Sequence, residues 1–195
     1  MKADDLAAGQ TPLDPDEADD LIPGHIGTKA ELNEWEQANI ADALVWLGRR
    51  QLSRTVLTLE FLRALHHRMF GKTWRWAGKF RSTAKSIGLP ASQIPEAIAN
   101  LIENTRHQIE HHTPGPEEIA LRFHHALVRI HPFANGNGRH ARAMTDQLLK
   151  QLGQPPFTWG AETLGVSGRA RTSYIKALRQ ADNGSYDELR NFVRS

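Results

Sequence analysis

The sequence predicts an all-α protein with a small β-hairpin in one irregular segment. Apolar residues recur at helical spacing through most of the chain after residue 28, and clusters of proline and glycine separate the helical stretches. Residues 71–94 break this period, because they contain three glycines, two tryptophans and a short piece of alternating polarity. With 195 residues, 39% of them hydrophobic and 24% charged, the chain has the composition of one soluble globular domain.

Three helices are predicted before the centre of the chain. The first, over residues 28–50, opens with Thr28 three residues before Glu31, which is a capping-box pattern. Its apolar residues fall at mostly helical spacings: Leu32, Trp35, Ile40, Leu44 and Leu47. The other two are predicted over residues 58–70 and 94–112. The irregular segment therefore lies between two helices, where such a segment is often functional.

Two further helices are predicted to lie in the core. After the turn "TPGP", apolar residues recur every three or four positions along one stripe: Ile119, Phe123, Leu127 and Ile130. A second stripe follows the turn at 134–138: Ala141, Met144, Leu148 and Leu152. Each stripe indicates a helix face that packs against its neighbours. A connector rich in proline and glycine, residues 152–160, then leads to two closing helices within 167–184 and 186–195.

The first 20 residues have a charge opposite to that of the rest. They hold one Lys against seven Asp or Glu, a net charge of −6, which leaves +8 for residues 21–195 because the whole chain carries +2. They are also poor in large apolar residues, so we expect a flexible acidic tail, or a tail that covers a basic cleft. Residues 21–195 are predicted to form a single domain.

The sequence argues against several classes of protein. It contains no cysteine, so disulfide frameworks and thiolate nucleophiles are excluded. The N-terminus lacks the apolar region of a signal peptide, and no stretch approaches 18 apolar residues, which argues against a membrane span. We therefore expect a cytoplasmic protein, with secretion by another route left open.

Residues 130–142, "IHPFANGNGRHAR", place positive charge where a helix normally avoids it. The second core helix is predicted to start near Asn137, so Arg139 and Arg142 lie on one face in its first two turns. A helix N-terminus carries about half a positive elementary charge, and two arginines there repel both the helix end and each other. This local conflict indicates a functional site that binds an anion.

The glycines of the same stretch suit a phosphate. Gly136 and Gly138 allow a backbone with positive φ and the close approach of a ligand, which are features of an anion-binding nest. Together with the helix dipole and two guanidinium groups, this nest suits a polyphosphate. His131 is predicted at the mouth of the turn, where a neutral imidazole can act as a general base.

Three other interpretations of the stretch stay open at this point. One is a plain connection between two core helices, with the arginines bonded to neighbouring carboxylates. Another is a helix-turn-helix that reads DNA, against which Ala141 and Met144 argue because they indicate a buried helix. A third is a metal site, against which the lack of a carboxylate at ligand spacing argues. Its histidines would be His124, His125, His131 and His140.

The stretch "HPFANGNGR" followed by "HAR" resembles the motif HPFx(D/E)GNGRxxR of the Fic/Doc family. The matching positions are His131, Pro132, Phe133, Gly136, Asn137, Gly138, Arg139 and Arg142. The segments "WRWAGKFR", "FHHALVRIHPF" and "LGQPPFTWG" are similar to those around the motif in the family. From about Glu31 to the C-terminus, the chain resembles the group called mobile mystery protein B.

The resemblance implies a Fic-type helical bundle around residues 131–142, with a β-hairpin flap over about residues 81–94. The flap would hold a target protein by strand addition, and Lys85 and Ile87 are candidates for contacts to nucleotide or target. The implied activity is transfer of AMP from ATP, with Mg²⁺ or Mn²⁺, to a Ser, Thr or Tyr hydroxyl of that target.

The resemblance also implies roles for the residues of the motif. His131 would deprotonate the target hydroxyl. Arg139 would be the second catalytic residue and hold the β- or γ-phosphate, while Arg142 would hold the γ-phosphate. Three residues would cradle phosphate oxygens: Gly136, Asn137 and Gly138. Phe133 would anchor the motif in the core.

Asn135 departs from the motif. The family has Asp or Glu there as a ligand of Mg²⁺, and an amide oxygen brings no charge to a hard cation. Weaker metal binding is implied, and three outcomes stay open: weakened adenylylation, a changed donor or reaction such as that of a Doc-like kinase, or a nucleotide-binding or partner-binding module of a toxin-antitoxin-like pair. In the last case the partner would be an antitoxin or a regulatory protein.

Many Fic proteins carry an inhibitory helix with the pattern (S/T)xxxE(G/N), whose Glu pairs with the second arginine of the motif. No window of this sequence satisfies the pattern. Glu31, Glu34 and Glu36 on the first predicted helix are the candidates for such a contact with Arg142. The alternative is that they form a solvated helix face.

Overall fold

The computed structural model describes residues 19–24, 26, 29–49, 56–160 and 169–195. Seven α-helices occupy most of these residues, which confirms the all-α prediction. They are α1 (Lys29–Arg49), α2 (Leu59–Phe70), α3 (Ile94–Glu110), α4 (Pro116–Ile130), α5 (Asn137–Gln151), α6 (Arg169–Asp182) and α7 (Asp187–Arg194), with a 3-10 helix over Ala91–Gln93 before α3. The predicted acidic tail lies outside the described residues except for Asp19 and Asp20, and Thr28 of the predicted capping box lies outside them as well.

The helices α4 and α5 form the centre of the fold, as their apolar stripes predict. The stripe of α4 is buried throughout: Ile119, Phe123, Leu127 and Ile130. That of α5 is buried at Ala141, Met144 and Leu148, whereas Leu152 follows the helix and is half-buried. Residues 131–136, here called the motif loop, join the two helices and are themselves largely buried. The motif loop is therefore held inside the protein.

Helix α1 buries only part of the face that its apolar residues indicate, because Leu47 is buried while the exposed residues lie on the other side. Leu44 and Trp35 are 49% and 36% exposed. The buried residues recur every three or four positions instead: Glu36, Asn39, Ala43 and Leu47. The inward face is thus half polar. The buried carboxylate of Glu36 has a hydrogen-bond partner, because its Oε1 accepts from Trp74 Nε1 at 2.7 Å.

The irregular segment forms no β-hairpin in the part of the chain that the structure describes. The one β-bridge there is isolated and pairs Leu21 with Trp74. The side chain of Arg81 donates to the carbonyl of Thr83 at 2.9 Å and to that of Leu89 at 2.5 Å. Because these carbonyls lie on the two arms of the predicted flap, the arginine takes acceptors that cross-strand pairing would use. The predicted hairpin is therefore replaced by an irregular loop that Arg81 fastens.

The C-terminal helices close the bundle over the connector that follows α5. The carbonyl of Val193 in α7 accepts hydrogen bonds from Thr158 N at 2.8 Å and from Thr158 Oγ1 at 2.9 Å. The next residue, Trp159, donates from Nε1 to Asp146 Oδ2 of α5 at 3.0 Å. The connector is thus fixed to two helices and brings an indole ring to the side of α5. None of the helices in the described ranges is long and apolar enough to cross a membrane.

Candidate functional site

The motif loop is fixed from within the core. Asn137, the first residue of α5, binds it twice: Oδ1 accepts from Phe133 N at 2.9 Å and Nδ2 donates to Phe133 O at 2.8 Å. Phe133 is fully buried and stacks on His66, with ring centroids 3.6 Å apart. His66 Nε2 donates to the backbone carbonyl of Asn135 at 3.1 Å, and His66 Nδ1 accepts from Gly78 N at 3.0 Å. Phe133 is therefore the anchor that the resemblance implies, and His66 is a second anchor that the sequence did not reveal.

The two glycines at the start of α5 have different roles. Gly136 has a φ of 76° and begins the helix without a side-chain cap, and a Cβ there would collide with the ring of Phe70. Gly138 lies inside the helix with ordinary backbone, which corrects the expectation of a positive φ, and a Cβ there would meet nothing within 4 Å. The start of α5 therefore has no side-chain cap, so its first N–H groups keep the donor capacity that an anion site requires.

His131 has both a strained backbone and an altered acidity. It ends α4 in a left-handed conformation, with φ 54° and ψ 60°, which costs energy in any residue other than glycine. The residue is 7% exposed. Burial, with the charges of Arg81 and Lys85, lowers the pKa of His131 to about 4. The imidazole is therefore neutral at neutral pH, which is the state that a general base needs.

Arg81 connects the flap to the motif loop. Its Nε donates to the carbonyl of His131 at 2.8 Å, and its backbone N–H donates to the carbonyl of Pro132 at 3.0 Å. Nothing in the local sequence distinguishes Arg81 from the other basic residues of "WRWAGKFR", so Arg81 is not among the predicted site residues. Of the predicted flap contacts, Lys85 is half-buried with its charge near His131, and Ile87 is 50% exposed.

Arg139, in the first turn of α5, is paired with a buried carboxylate. Its NH2 lies 2.8 Å from Glu36 Oε2, and the Glu36 side chain is 6% exposed. The guanidinium also lies over the ring of Phe70, 4.9 Å from its centroid. Because Trp74 Nε1 donates to the other oxygen of Glu36, the carboxylate is held in an orientation that faces Arg139. The repulsion predicted at this helix start is thus offset by a carboxylate from α1.

The predicted contact between α1 and Arg142 is not formed. Glu36 is the glutamate that reaches the motif, and it pairs with Arg139. Glu31 and Glu34 are exposed. The reason is that Glu36 lies on the inward face of α1 opposite the first turn of α5, whereas Arg142 lies one turn further along and is held by other partners.

Arg142 is surrounded by aromatic rings. Its guanidinium carbon lies 4.7 Å from the ring centroid of Tyr174 and 5.9 Å from that of Trp159. The Tyr174 hydroxyl is 2.8 Å from His124 Nε2, and burial lowers the pKa of His124 to about 3, so this histidine stays neutral. Arg142 is therefore placed by a stacked arrangement on α4, α6 and the connector.

Asn135, the predicted metal ligand, is a weak ligand for a resident metal ion. Its Oδ1 accepts a hydrogen bond from Gly136 N at 2.7 Å, and the amide is uncharged. Among the residues that the structure describes, no group of three His, Cys, Asp or Glu side chains could hold a metal ion. Mg²⁺ prefers carboxylates and phosphates, so these residues do not fit a resident Mg²⁺. The same finding argues against the alternative site of four histidines.

Residues 56–149 match the profile of the Fic/DOC family. The chain carries a Fic/DOC family domain. Two curated relatives, both named Protein adenylyltransferase Fic, are 28% identical over 156 residues in Drosophila grimshawi and 27% identical over 178 residues in Nematostella vectensis. The alignments cover 78% and 89% of this chain but 30% and 38% of those proteins. This chain thus corresponds to about a third of their length.

Solved structures share the fold of this Fic domain. BepC of Bartonella tribocorum, solved with bound AMPPNP, has a TM-score of 0.70 at 20% identity, covering 91% of this chain and 95% of that one. Fic-1 from C. elegans has a TM-score of 0.65 at 25% identity, covering 91% of this chain and 51% of that one. The helical bundle around the motif loop is therefore a Fic fold.

Proposed function

We propose that this chain is a protein adenylyltransferase, which transfers AMP from ATP to a Ser, Thr or Tyr hydroxyl of a target protein. The observation that carries the proposal is the neutral, buried His131 across the motif loop from the uncapped start of α5, where Arg139 and Arg142 lie. A base beside a polyphosphate site is what this transfer requires. The names of the curated relatives and the nucleotide analogue bound to BepC support it.

In the proposed reaction, the oxygen of the target hydroxyl attacks the α-phosphorus of ATP. His131 accepts the hydroxyl proton. A new P–O bond forms while the bond from the α-phosphorus to the oxygen that bridges to the β-phosphate breaks, and pyrophosphate leaves. The N–H groups at Asn137 and Gly138 bind phosphate oxygens, and the motif arginines bind the outer phosphates. Most of the barrier reduction then comes from positioning and electrostatics.

The target protein would lie beside the flap. Arg81 fastens residues 83 and 89 of the flap and also binds the carbonyl of His131. A target segment that lies along the flap would therefore place its hydroxyl near the imidazole. The exposed Ile87 offers an apolar contact for that segment, and any divalent ion would arrive with ATP.

The test supplies ATP labelled on the α-phosphate or on the γ-phosphate, with Mg²⁺ or Mn²⁺ and cell lysate. The expected result is α-label on protein without γ-label. Transfer of γ-label would indicate a kinase instead. Binding of ATP with transfer of neither label would contradict the enzyme proposal and favour a nucleotide-binding module.

Replacing Glu36 with Gln is expected to raise the affinity for ATP by about tenfold, which corresponds to about 1.4 kcal/mol of binding free energy. Glu36 competes with phosphate for Arg139, and Gln removes the competing charge while its Oε1 can still accept from Trp74. Isothermal titration measures the affinity, and the α-label assay measures the accompanying rise in turnover.

Glu34→Gln is the matched control, because Glu34 is exposed on the same helix. It should leave ATP affinity unchanged. The two readouts of Glu36→Gln should move in opposite directions, with Tm lower because an ion pair is lost and ATP affinity higher. If Tm and ATP affinity both fall, Glu36 supports the fold and does not restrain the site.

Replacing Asn135 with Asp is expected to increase the dependence of transfer on Mg²⁺ and to raise the rate several-fold. A carboxylate adds the charge that a hard cation favours. The measurement is the initial rate of α-label transfer against Mg²⁺ concentration for both proteins. An unchanged Mg²⁺ profile would show that position 135 does not contribute to metal binding.

A further inference from the structure

Arg171 lies on the side of α6 that packs into the protein. The buried residues of this helix are Tyr174, Ala177 and Ala181. Arg171 precedes Tyr174 by one turn and so shares its face. The ring of Tyr174 is the surface on which the Arg142 guanidinium rests, at 4.7 Å. Arg171 therefore faces the same region as Arg142, although it lies 29 positions further along the chain.

The surroundings of Arg171 are positively charged. Burial and the charges of Arg142 and Arg139 lower the pKa of Arg171. Its Nε atom is buried without a hydrogen-bond partner, and the same is true of the Nε of Arg142. Both residues are half-buried, and each lies within range of the other's charge with part of its donor capacity unused.

The two carboxylates in this region, Glu36 and Asp146, already have other partners. Glu36 pairs with Arg139. Asp146 lies close enough to Arg142 to feel its charge, but its oxygens accept from Trp159 Nε1 and from Phe157 N. Within the described ranges, neither Arg142 nor Arg171 forms an ion pair with a carboxylate. These two guanidinium groups therefore have no paired carboxylate, and a ligand could supply the negative charge.

We infer that Arg171 is a third phosphate-binding arginine, which holds the terminal phosphate of a nucleoside triphosphate together with Arg142 and makes the site prefer triphosphates to diphosphates. The inference rests on the proposed function, because it places ATP at the start of α5. A terminal phosphate offers three oxygens, and guanidinium groups bind such oxygens through paired N–H donors. A diphosphate ends one phosphate earlier and leaves the two guanidinium groups repelling each other.

The test measures dissociation constants of the full chain for ATP, ADP and inorganic tripolyphosphate by isothermal titration. Arg171→Gln is expected to weaken the binding of ATP and tripolyphosphate by about tenfold or more, and the binding of ADP by much less. The preference for ATP over ADP should therefore fall. Tripolyphosphate shows that the contact is to phosphate and not to the base. Arg179→Gln, an exposed position two turns along the same helix, is the matched control and should change none of these constants.

The thermal midpoint of the ligand-free protein is a second readout. Removing one of three crowded charges should leave Tm unchanged or raise it, whereas loss of a structural arginine would lower it. Arg171→Lys, which keeps the charge without the planar fork, should retain part of the triphosphate preference.

Two outcomes would overturn the inference. An ATP-to-ADP preference that is the same in wild type and Arg171→Gln would remove Arg171 from the phosphate site while leaving the proposed transfer of AMP intact. If the wild-type protein binds neither ATP nor tripolyphosphate, both the role of Arg171 and the proposed transfer of AMP are overturned. If Arg171→Gln does not fold, an unchanged preference in Arg171→Lys would count against the inference in the same way.

Discussion

Replacing His131 with Ala is expected to lower the rate of AMP transfer by about 10²–10⁴-fold, the range that a general base contributes. In the proposed site the nucleotide is held by the start of α5 and its arginines, so the affinity for ATP should stay near the wild-type value. The measurements are the initial rate of α-label transfer and the dissociation constant for ATP. His107→Ala, an exposed position on α3, is the control and should change neither.

The acidity of His131 adds a pH test. Its pKa of about 4 means that the imidazole is neutral above that pH and becomes protonated as the pH falls through it. The contribution of His131 to kcat/KM should therefore be constant from neutral pH down to about pH 5 and be lost near pH 4. A histidine of ordinary acidity would lose activity below about pH 6.5. A rate that halves near pH 6.5 would contradict the account in which burial and the charges of Arg81 and Lys85 keep the base neutral.

If His131→Ala kept full activity, the proton would have to go elsewhere, and the proposal of a histidine base would fail. Loss of ATP affinity together with rate would show that the side chain supports the motif loop. The strained backbone at His131 makes this second outcome worth measuring, because an alanine there is held at the same positive φ.

The helices and the motif were predictable because they obey local rules. The stripes of α4 and α5 follow the helical period, and within the two helices each stripe is buried where the period places it. Arginines at Arg139 and Arg142 violate the charge preference of a helix start, and this conflict is visible in the order of the residues alone. In the structure, a carboxylate from another helix, Glu36, offsets the positive charge of Arg139.

The remaining parts of the site depend on contacts between distant segments. Glu36 and Asn39 are polar residues on the buried face of α1, so hydrophobic periodicity located that face only in part. Arg81 satisfies flap carbonyls with a side chain, and the alternating pattern that predicted a hairpin does not reveal this. Arg171 comes within range of the charges of Arg139 and Arg142 because Tyr174, on the same helix, contacts Arg142 of α5. None of these contacts is encoded in the spacing of neighbouring residues.

Replacing His66 with Ala is expected to lower the free energy of unfolding by about 3–5 kcal/mol, the usual cost of truncating a buried ring. His66 is fully buried and stacks on Phe133. Part of this cost arises because the Asn135 carbonyl and the Gly78 N–H lose these hydrogen-bond partners. For a chain of this size, Tm should fall by about 10 °C. Thermal unfolding followed by circular dichroism measures the change.

Two conservative variants separate the packing role of His66 from its role in positioning the motif loop. Gln places a donor near the position of Nε2 and can still bind the Asn135 carbonyl, whereas Asn places an acceptor near Nδ1 and can still accept from Gly78. Both should be less stable than wild type. His66→Asn should also bind ATP about three- to tenfold more weakly, because the bond to the motif loop is lost, while His66→Gln should bind it nearly as wild type does. Equal ATP affinity for the two variants, measured at a temperature where both are folded, would reduce His66 to a packing residue.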